Sequence, residues 1–387
     1  MNQARTINAA ERRARLGVRH ALAARVDSVA AAAEAVVALH ATDPATVYLS
    51  AGARVTAPAL ERLERELYDG SLVRLHGMRR TVFVVPAELA PVVHVSSTAA
   101  IAARERKQLL KHLAEGGLTW SEAELADVEA SVVKLVEEHG EISVNRLGVL
   151  EPRLREQLVF FPGKPYEARQ AIASRLITLL GMEHRIVRRS RTSGTWISGQ
   201  HNWAPAPAVP ELDPRAAQAE LVRRWLAAFG PGTEADVKWW TGWTAGDTRK
   251  ALAAAGAVAV ELAEGTGYVL PEDVEPVAEP EPWAALLPAL DPAPMGWQQR
   301  GFYLPEEHRA PLFDRSGNIG PTVWWNGRIV GGWASRPDGE IGWRLLEDVG
   351  GEAEAAIGRE AAALGEWLGG AKVTPRFRTP LEKELAR

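Results

Sequence analysis

The chain has 387 residues, a formal net charge of -4 and a hydrophobic fraction of 46%. This length predicts about three or four domains, and the apolar content is sufficient to fill their cores. The absence of cysteine excludes disulfides, thiolate zinc sites and cysteine nucleophiles. The nine histidines are scattered without a pair at metal-ligand spacing, so we expect neither a metal nor another cofactor. No apolar run reaches the ~18 residues of a membrane span, and no apolar signal region opens the chain, which predicts a cytoplasmic protein without membrane contact.

The first part of the chain is predicted to contain helices followed by a pair of strands. The helices are expected at residues 7–22, 28–39, 44–53 and 57–68, and the strands at 72–75 and 80–86. Asp43 followed by Pro44 is typical of a helix start, with Asp43 as the N-cap and Pro44 in the first turn. The three preceding residues, His40, Ala41 and Thr42, are therefore expected to form a corner with exposed backbone between two helices.

A second unit of the same kind is predicted from residue 121 onwards. Helices are expected at residues 121–139, 144–150 and 166–180, and strands at 184–189 and 195–199. Apolar residues at helical spacing define the third helix, and Gly181 is expected to end it. The strand pair carries four arginines within seven residues: Arg185, Arg188, Arg189 and Arg191. Their position on a hairpin favours phosphate contacts, although an ordinary solvated basic hairpin has the same sequence pattern.

A third unit is predicted between residues 214 and 270. Thr233 with Asp236, and Thr244 with Asp247, have the spacing of helix-start capping pairs. Two helix starts this close require a tight turn, which Gly242 can provide. Strands at 257–262 and 268–270 would complete the unit. Because this unit carries little basic charge, we expect it to act mainly as scaffold.

Helices followed by a strand pair, repeated along the chain, are the pattern of tandem winged helix-turn-helix units, which favours binding to duplex DNA. The predicted fold class is mainly α with β wings, or α+β, with three such units and a C-terminal β-rich domain. The expected domains are residues 1–115, 116–205, 206–274 and 275–387. The net negative charge argues against a globally basic surface, but one local positive face is enough for a phosphate groove. The other candidates for that face are Arg74, Arg79, Arg80, Arg104, Arg106, Lys107 and Lys111.

The last segment changes in character after a Pro-rich stretch, residues 271–294, which predicts a linker. Asn326 followed by Gly327 indicates a tight hairpin, Asp338 with Gly339 suggests another, and a helix is expected at residues 351–368. The segment is rich in tryptophan. Four of its indoles could stack on bases, but core packing in a small sheet is the more common role of such residues. The four are Trp324, Trp325, Trp333 and Trp343.

Five segments resemble the winged-helix DNA-binding superfamily that contains the AlkZ-like and YcaQ-like DNA glycosylases. They are residues 39–48 (LHATDPATVY), 68–86 (YDGSLVRLHGMRRTVFVVP), 229–243 (FGPGTEADVKWWTGW), 286–303 (LLPALDPAPMGWQQRGFY) and 317–333 (GNIGPTVWWNGRIVGGW). The resemblance implies a C-shaped stack of three winged helices around a basic concave surface. It also implies excision of bulky or crosslinked N7-alkylpurines, often as self-resistance to a DNA-alkylating natural product. The expected partner is duplex DNA, alkylated or not, bound by a nucleoid-associated monomer.

The resemblance also locates a candidate catalytic pair. Similar glycosylases carry Gln-x-Gln or Gln-x-Asp in a context like LQAQDP, and here His40 and Thr42 occupy the two polar positions. An N7-alkylated guanine is already cationic, so the enzyme needs to orient a water at C1′ rather than protonate the base. A neutral His40 could accept a proton from that water, and Thr42 could hydrogen-bond it.

Other readings of these residues stay open. His40 could bond a loop carbonyl while Thr42 supports the Asp43 cap. A transcriptional regulator would use the same units with base-edge contacts and a symmetric dimer. An enzyme acting on a substrate other than DNA is a further alternative, although the sequence shows no Gly-rich phosphate loop and no Ser-His-Asp ordering.

Overall fold

The computed structural model describes residues 5–116, 118, 120–161, 163–192 and 194–387. The helices are α1 Ala9–Arg19, α2 Val29–Ala35, α3 Pro44–Gly52, α4 Leu60–Tyr68, α5 Ala90–Val93, α6 Ala99–Glu115, α7 Glu122–His139, α8 Val144–Leu150, α9 Ile172–Met182, α10 Pro214–Phe229, α11 Glu234–Thr241, α12 Ala245–Ala254, α13 Arg309–Leu312, α14 Gly350–Leu368 and α15 Pro380–Leu385. The strands are β1 Leu39–His40, β2 Leu72–His76, β3 Val82–Pro86, β4 Ile142–Ser143, β5 Gln157–Phe160, β6 Ala168–Ala171, β7 Ile186–Arg191, β8 His201–Pro205, β9 Gly232–Thr233, β10 Val258–Leu262, β11 Gly265–Val269, β12 Ala284–Leu287, β13 Thr322–Trp325, β14 Arg328–Ser335 and β15 Ile341–Leu345. This mixture of helices and small sheets confirms the α+β class. Within the described ranges, no helix is long and apolar enough to cross a membrane.

One order of elements recurs along the chain: a helix, a short strand, two helices and a pair of strands. Three runs of elements have this order: α2-β1-α3-α4-β2-β3, α7-β4-α8-α9-β7-β8 and α10-β9-α11-α12-β10-β11. The second run has β5 and β6 in addition, before α9. In each case the short strand pairs antiparallel with the last strand of the unit, as β1 with β3, β4 with β8 and β9 with β11. The same local plan is therefore built three times.

The sheets of the first two units are joined. Strand β2 pairs with β7 through Arg74 and Arg188, which gives one six-stranded sheet in the order β1-β3-β2-β7-β8-β4. The third unit has its own three-stranded sheet. The boundary predicted between the first two units is thus crossed by strand pairing.

Two predicted elements of the second unit are wrong. The helix predicted from residue 166 begins at Ile172, because residues Ala168–Ala171 pair with Gln157–Phe160 as a hairpin. Ala168 fits the helical spacing of the apolar residues but is exposed, so its place in that pattern does not indicate burial in the core. The last strand lies at His201–Pro205 rather than at 195–199, because Trp203 packs against α9 there, close to Gly181. Pro162 and Ser193, which belong to predicted breaks in this unit, lie outside the described residues.

The third unit follows its capping signals. Thr233 and Asp236 form a capping box at the start of α11, and the Thr244 side chain accepts the Asp247 N–H at the start of α12. Gly242 lies between the two helices with a left-handed φ of 77°, a conformation that glycine adopts without steric cost. The tight turn predicted from the two helix starts is confirmed.

The C-terminal segment forms a four-stranded sheet in the order β12-β13-β14-β15, covered by α14. Asn326 and Gly327 both have positive φ, 47° and 79°, as the predicted hairpin requires. The predicted linker is partly wrong, because its residues Ala284–Leu287 form strand β12 and Asp291 is fully buried. Trp324 and Trp333 are buried in the core, which confirms the packing interpretation for these two residues.

Two main hydrophobic cores hold the chain together. One combines residues of α2 to α4, of α10 to α12 and of the C-terminal sheet, and the other lies within the second unit around α7 and α9. The residues around His40 are therefore fixed by three parts of the chain that are distant in sequence.

Candidate active site and nucleic-acid interface

The corner with His40 and Thr42 lies inside the fold. His40 is paired with Phe83 in the sheet, and the two rings meet edge to face with centroids 5.5 Å apart. The next residue, Ala41, donates its N–H to the Val82 carbonyl at 2.8 Å. His40 is consequently only 7% exposed and Thr42 is half-buried. The expectation of an exposed interhelix corner is wrong, because the residues before α3 form a strand that pairs with β3.

Burial controls the charge of His40. Its Nδ1 atom is fully buried without a hydrogen-bond partner in the described part of the chain, so the structure does not show the alternative bond from Nδ1 to a loop carbonyl. Burial, together with the nearby Arg79 cation, lowers the pKa of His40 to about 3, and Asp291 acts in the opposite direction. The imidazole is therefore neutral at physiological pH, and one of its nitrogens is an acceptor.

The C-terminal segment closes over this corner. Asp43 caps α3 as predicted, with Oδ1 accepting the Ala45 N–H at 3.2 Å. Its Oδ2 atom accepts the Arg376 N–H at 2.8 Å, and Arg376 Nη1 donates to the Thr42 carbonyl at 3.4 Å. Arg376 thereby brings an exposed cation next to the candidate catalytic pair. No sequence pattern indicates the contact between Asp43 and Arg376, since the two residues are 333 positions apart.

A cationic and aromatic cluster lies beside His40. Arg79 occupies the turn between β2 and β3 with a left-handed φ of 53°, and its Cζ lies 4.1 Å from the centroid of Trp239. The Cζ of Arg300 lies 5.1 Å from the same ring. A side chain at Gly242 would put its Cβ 2.9 Å from Arg79 Cγ, so glycine permits this close packing. Trp239 and Arg300 were not among the predicted site residues.

Asp236 fixes the segment that carries Arg300. Its Oδ1 atom accepts the N–H groups of Gln298 and Gln299, each at 2.9 Å, while Oδ2 accepts the Thr233 N–H at 2.9 Å. The carboxylate is fully buried. The third unit thus does more than support the fold, because it provides Trp239 and anchors Arg300 through Asp236.

The four arginines of the second strand pair do not form one exposed cluster. Arg185 Nη1 binds Glu129 at 2.9 Å, and Arg191 Nε binds Glu64 at 2.9 Å. Arg188 is stacked on Trp203 with its Cζ 4.7 Å from the ring centroid. Arg189 is half-buried and has no ion pair among the described residues. Alternation along β7 directs neighbouring side chains to opposite faces, which a count of arginines in the sequence does not reveal.

The three arginines of the first hairpin also point to different places. Arg74 is 6% exposed and lies opposite Arg188 in the sheet. Arg79 packs on Trp239, as described above. Arg80 is exposed, and its Nη2 lies 3.0 Å from Glu105 on α6. The expectation that all three open into one groove is wrong, because the turn after β2 separates Arg79 and Arg80 from the buried Arg74.

The α6 candidates fall into two groups. Arg106 is held by Glu129 at 3.0 Å and Glu183 at 2.6 Å, and Lys111 lies 3.7 Å from Glu115. Arg104 and Lys107 are exposed without an ion pair in the described part of the chain. These two residues are the α6 cations most available to an external anion.

A cleft of about 360 Å³ lies between the first hairpin, α6 and α9. Its polar lining comes from Arg80, Glu105, Gln170, Ser174 and Arg175. Arg175 was not predicted, and its Cζ lies 4.9 Å from the ring centroid of Phe160 on the hairpin of β5 and β6.

No group of three or more His, Asp or Glu side chains in the described ranges is arranged to hold a metal ion. The components of the candidate site are a neutral histidine, a threonine and several unpaired guanidinium groups, which could orient a water and bind an anionic polymer.

The sequence matches the family described as DNA glycosylase AlkZ-like over residues 33–367. The chain therefore belongs to this family of DNA glycosylases. Its fold is similar to the solved structure of Streptomyces sahachiroi DNA glycosylase AlkZ, with a TM-score of 0.72 and 20% sequence identity. That alignment covers 96% of this chain and 99% of the other. A search of curated proteins found no match.

Proposed function

We propose that this protein is a monofunctional DNA glycosylase that hydrolyses the N-glycosidic bond of N7-alkylated purines in duplex DNA. The observation that carries the proposal is the buried, neutral His40 at the corner where similar glycosylases have a glutamine. A neutral imidazole, like an amide, offers a hydrogen-bond acceptor to a water molecule. Membership of the AlkZ-like family supports the reaction class.

The chemistry fits a substrate that leaves without help from an acid. In an N7-alkylated purine the base is already cationic, so the C1′–N9 bond can break with its electron pair passing to N9. Water then adds to C1′, and its proton passes through His40 to solvent. A histidine with a pKa of about 3 holds that proton only briefly, which suits a role in orienting the water rather than in storing charge. Thr42 would provide a second hydrogen bond to the same water.

We further propose that the three recurring units are winged helices, within domains at residues 1–115, 116–205 and 206–274, followed by a C-terminal domain at 275–387. The shared order of elements and the pairing of each short strand with the last strand support this assignment. Three such units in one chain could surround a duplex without a second subunit, so the protein would act as a monomer.

The DNA path is proposed to follow the cations that are not consumed by internal carboxylates. These are Arg79, Arg104, Lys107 and Arg189, together with the exposed Arg376. The ion-paired arginines 106, 185 and 191 would stabilise the fold instead. The proposed activity suits repair of alkylated DNA and self-resistance to a DNA-alkylating natural product.

Release of free base from a duplex with one N7-methylguanine tests the proposal. Mass spectrometry of the released base and alkaline cleavage of the abasic strand should both detect product with the wild-type protein. Tight duplex binding without release of any N7-alkylated base would contradict it. The better account would then be a non-catalytic DNA-binding protein.

A further inference from the structure

Two guanidinium groups and one indole meet beside the candidate catalytic corner. Arg79 and Arg300 both lie against Trp239, with Cζ to centroid distances of 4.1 and 5.1 Å. They come from the first hairpin and from the segment that Asp236 anchors, so the cluster joins three parts of the chain. Arg79 lies in the turn just before β3, the strand that pairs with β1 at His40, which places the cluster next to the proposed reaction centre.

Neither Arg79 nor Arg300 forms an ion pair within the part of the chain that the structure describes. Arg300 Nε donates to the Pro294 carbonyl at 3.2 Å, whereas Arg79 Nε is buried without a hydrogen-bond partner there. Burial, together with the neighbouring Arg300 cation, lowers the pKa of Arg79 to about 10. Two adjacent cations without a carboxylate are unfavourable unless an external anion binds between them.

The geometry is also held in place before any ligand binds. Arg79 is in a left-handed turn, Gly242 leaves room for its stem, and Arg300 lies 5.5 Å from the Phe313 ring. Asp236 fixes the backbone just before Arg300. Because the side chains are already packed, binding would cost little additional ordering.

We propose that Arg79 and Arg300 form a clamp for one phosphodiester of the DNA backbone, next to the nucleotide whose base is removed. The position relative to that nucleotide rests on the proposed function. A phosphodiester is the ligand of choice because guanidinium groups match its charge and geometry. The lesion itself is a poor candidate, since a cationic N7-alkylpurine would be repelled by two guanidinium groups. Trp239 serves to orient the arginines.

The test uses the full chain and a duplex with one tetrahydrofuran residue, which mimics the abasic product and cannot be cleaved. Arg300→Met removes the charge but keeps an apolar stem on Trp239, and Arg300→Lys restores the charge without the planar fork. Arg359→Met is the matched control, because Arg359 is exposed on α14 and forms no hydrogen bond or ion pair with the cluster among the described residues. Circular dichroism and thermal melting establish that each variant is folded.

For Arg300→Met we expect about tenfold weaker binding at low salt. The slope of log affinity against log salt concentration should decrease in magnitude by roughly 0.9, the value for one lost phosphate contact. Arg300→Lys should retain the wild-type slope, and Arg359→Met should match the wild type in both measurements. An unchanged slope in folded Arg300→Met would overturn the clamp.

A phosphate scan identifies the contact itself. Single methylphosphonate linkages remove one charge at a time on either side of the tetrahydrofuran site. One linkage adjacent to that site should weaken binding by the wild type by a similar factor but weaken binding by Arg300→Met less, because only Arg79 still contacts that phosphate in the variant. If each methylphosphonate weakened binding by the same factor in the wild type and in Arg300→Met, the specific clamp would be contradicted.

Base release distinguishes this proposal from the proposed function. If the wild type releases N7-methylguanine but Arg300→Met keeps its salt slope, only the clamp is wrong. If no base is released while Arg300→Met loses one phosphate contact, the clamp stands and the glycosylase assignment fails.

Discussion

Arg74 and Arg188 lie opposite each other at the junction of β2 and β7, where Arg74 is buried and Arg188 is half-buried. Neither has a carboxylate partner among the described residues. Burial lowers the pKa of Arg188 to about 10, with a further contribution from Arg74. The seam between the first two units therefore contains a like-charge pair, which is unfavourable for stability.

We expect Arg188→Met to raise the free energy of unfolding, because it removes one buried charge and keeps an apolar stem on Trp203. The gain should be about 1 kcal/mol after loss of the cation–π contact is subtracted. Urea unfolding at pH 7 measures it. Arg189→Met, on the opposite face of β7, is the control and should change the stability by less than ~0.5 kcal/mol. A clear loss of stability in Arg188→Met would contradict an unfavourable interaction between the two arginines.

Substitutions at His40 should separate its catalytic role as a hydrogen-bond acceptor from its contribution to stability as a buried ring. His40→Ala should lower the rate of base release by ~100-fold, the low end for a lost proton acceptor. It should also lower stability, because a buried ring is deleted. His40→Gln introduces the amide found in similar glycosylases and should retain activity within about tenfold. Equal losses in both variants, under single-turnover conditions with folded protein, would argue against the acceptor role.

Thr42→Ala should have a smaller effect than His40→Ala. It removes one orienting hydrogen bond, worth ~1 kcal/mol or about a fivefold change in rate. Because Arg376 binds the Thr42 carbonyl rather than its side chain, the local backbone should be unaffected. Single-turnover rates measure the effect, with Thr42→Ser as the control that keeps the hydroxyl. A larger loss in Thr42→Ala than in His40→Ala would reverse the proposed roles.

The stability should decrease as the pH falls below 6.5. Burial lowers the pKa values of His40, His76 and His201 to about 3, whereas each titrates near 6.5 in the unfolded chain. Between these values the unfolded state binds more protons than the folded state, so acid favours unfolding. Each histidine should contribute up to about 1.4 kcal/mol per pH unit in that window. Urea unfolding at several pH values, with His76→Asn expected to show a shallower dependence, measures this effect.

Because the pKa of His40 is lowered, the rate of base release should not decrease on the acid side of its pH profile. Since His40 is neutral down to about pH 3, its protonation should not slow base release between pH 5 and 8. A rate that falls with an apparent pKa near 6.5 in wild type, but not in His40→Gln, would contradict the buried environment of His40.

The α6 cations should contribute to binding and the ion-paired arginines to stability. Arg104→Met with Lys107→Met should reduce the salt slope of duplex binding by up to about two contacts. Glu129→Gln should leave that slope unchanged but lower the free energy of unfolding by about 2 kcal/mol, because Arg185 loses its carboxylate partner and Arg106 keeps only Glu183. Salt titrations of duplex binding test the expected change in slope, and urea unfolding tests the expected change in stability.

Local signals in the sequence predicted much of the fold. Asp43 before Pro44, the Thr233 capping box and the Asn326–Gly327 turn each act within a few residues, so they were located correctly. The strands β6 and β8 were not, because their partners β5 and β7 determine where pairing begins. The joined sheet was missed for the same reason.

The candidate site was predictable only in part. The resemblance pointed to His40 and Thr42, but strand pairing with β3 decides their burial. Trp239, Arg300 and Arg376 approach the corner from other parts of the chain, and no sequence spacing encodes these contacts. Charge counts were misleading as well, since carboxylates distant in sequence neutralise Arg106, Arg185 and Arg191.

The most direct test compares a cationic with a neutral lesion under single-turnover conditions. A neutral His40 cannot donate a proton, so the wild-type protein should release N7-methylguanine from a duplex but not 1,N6-ethenoadenine, whose base requires protonation before it leaves. Free base is quantified by mass spectrometry, with the abasic strand measured in parallel. Comparable release of both bases would contradict the proposed role of His40, and release of neither, despite duplex binding, would contradict glycosylase function.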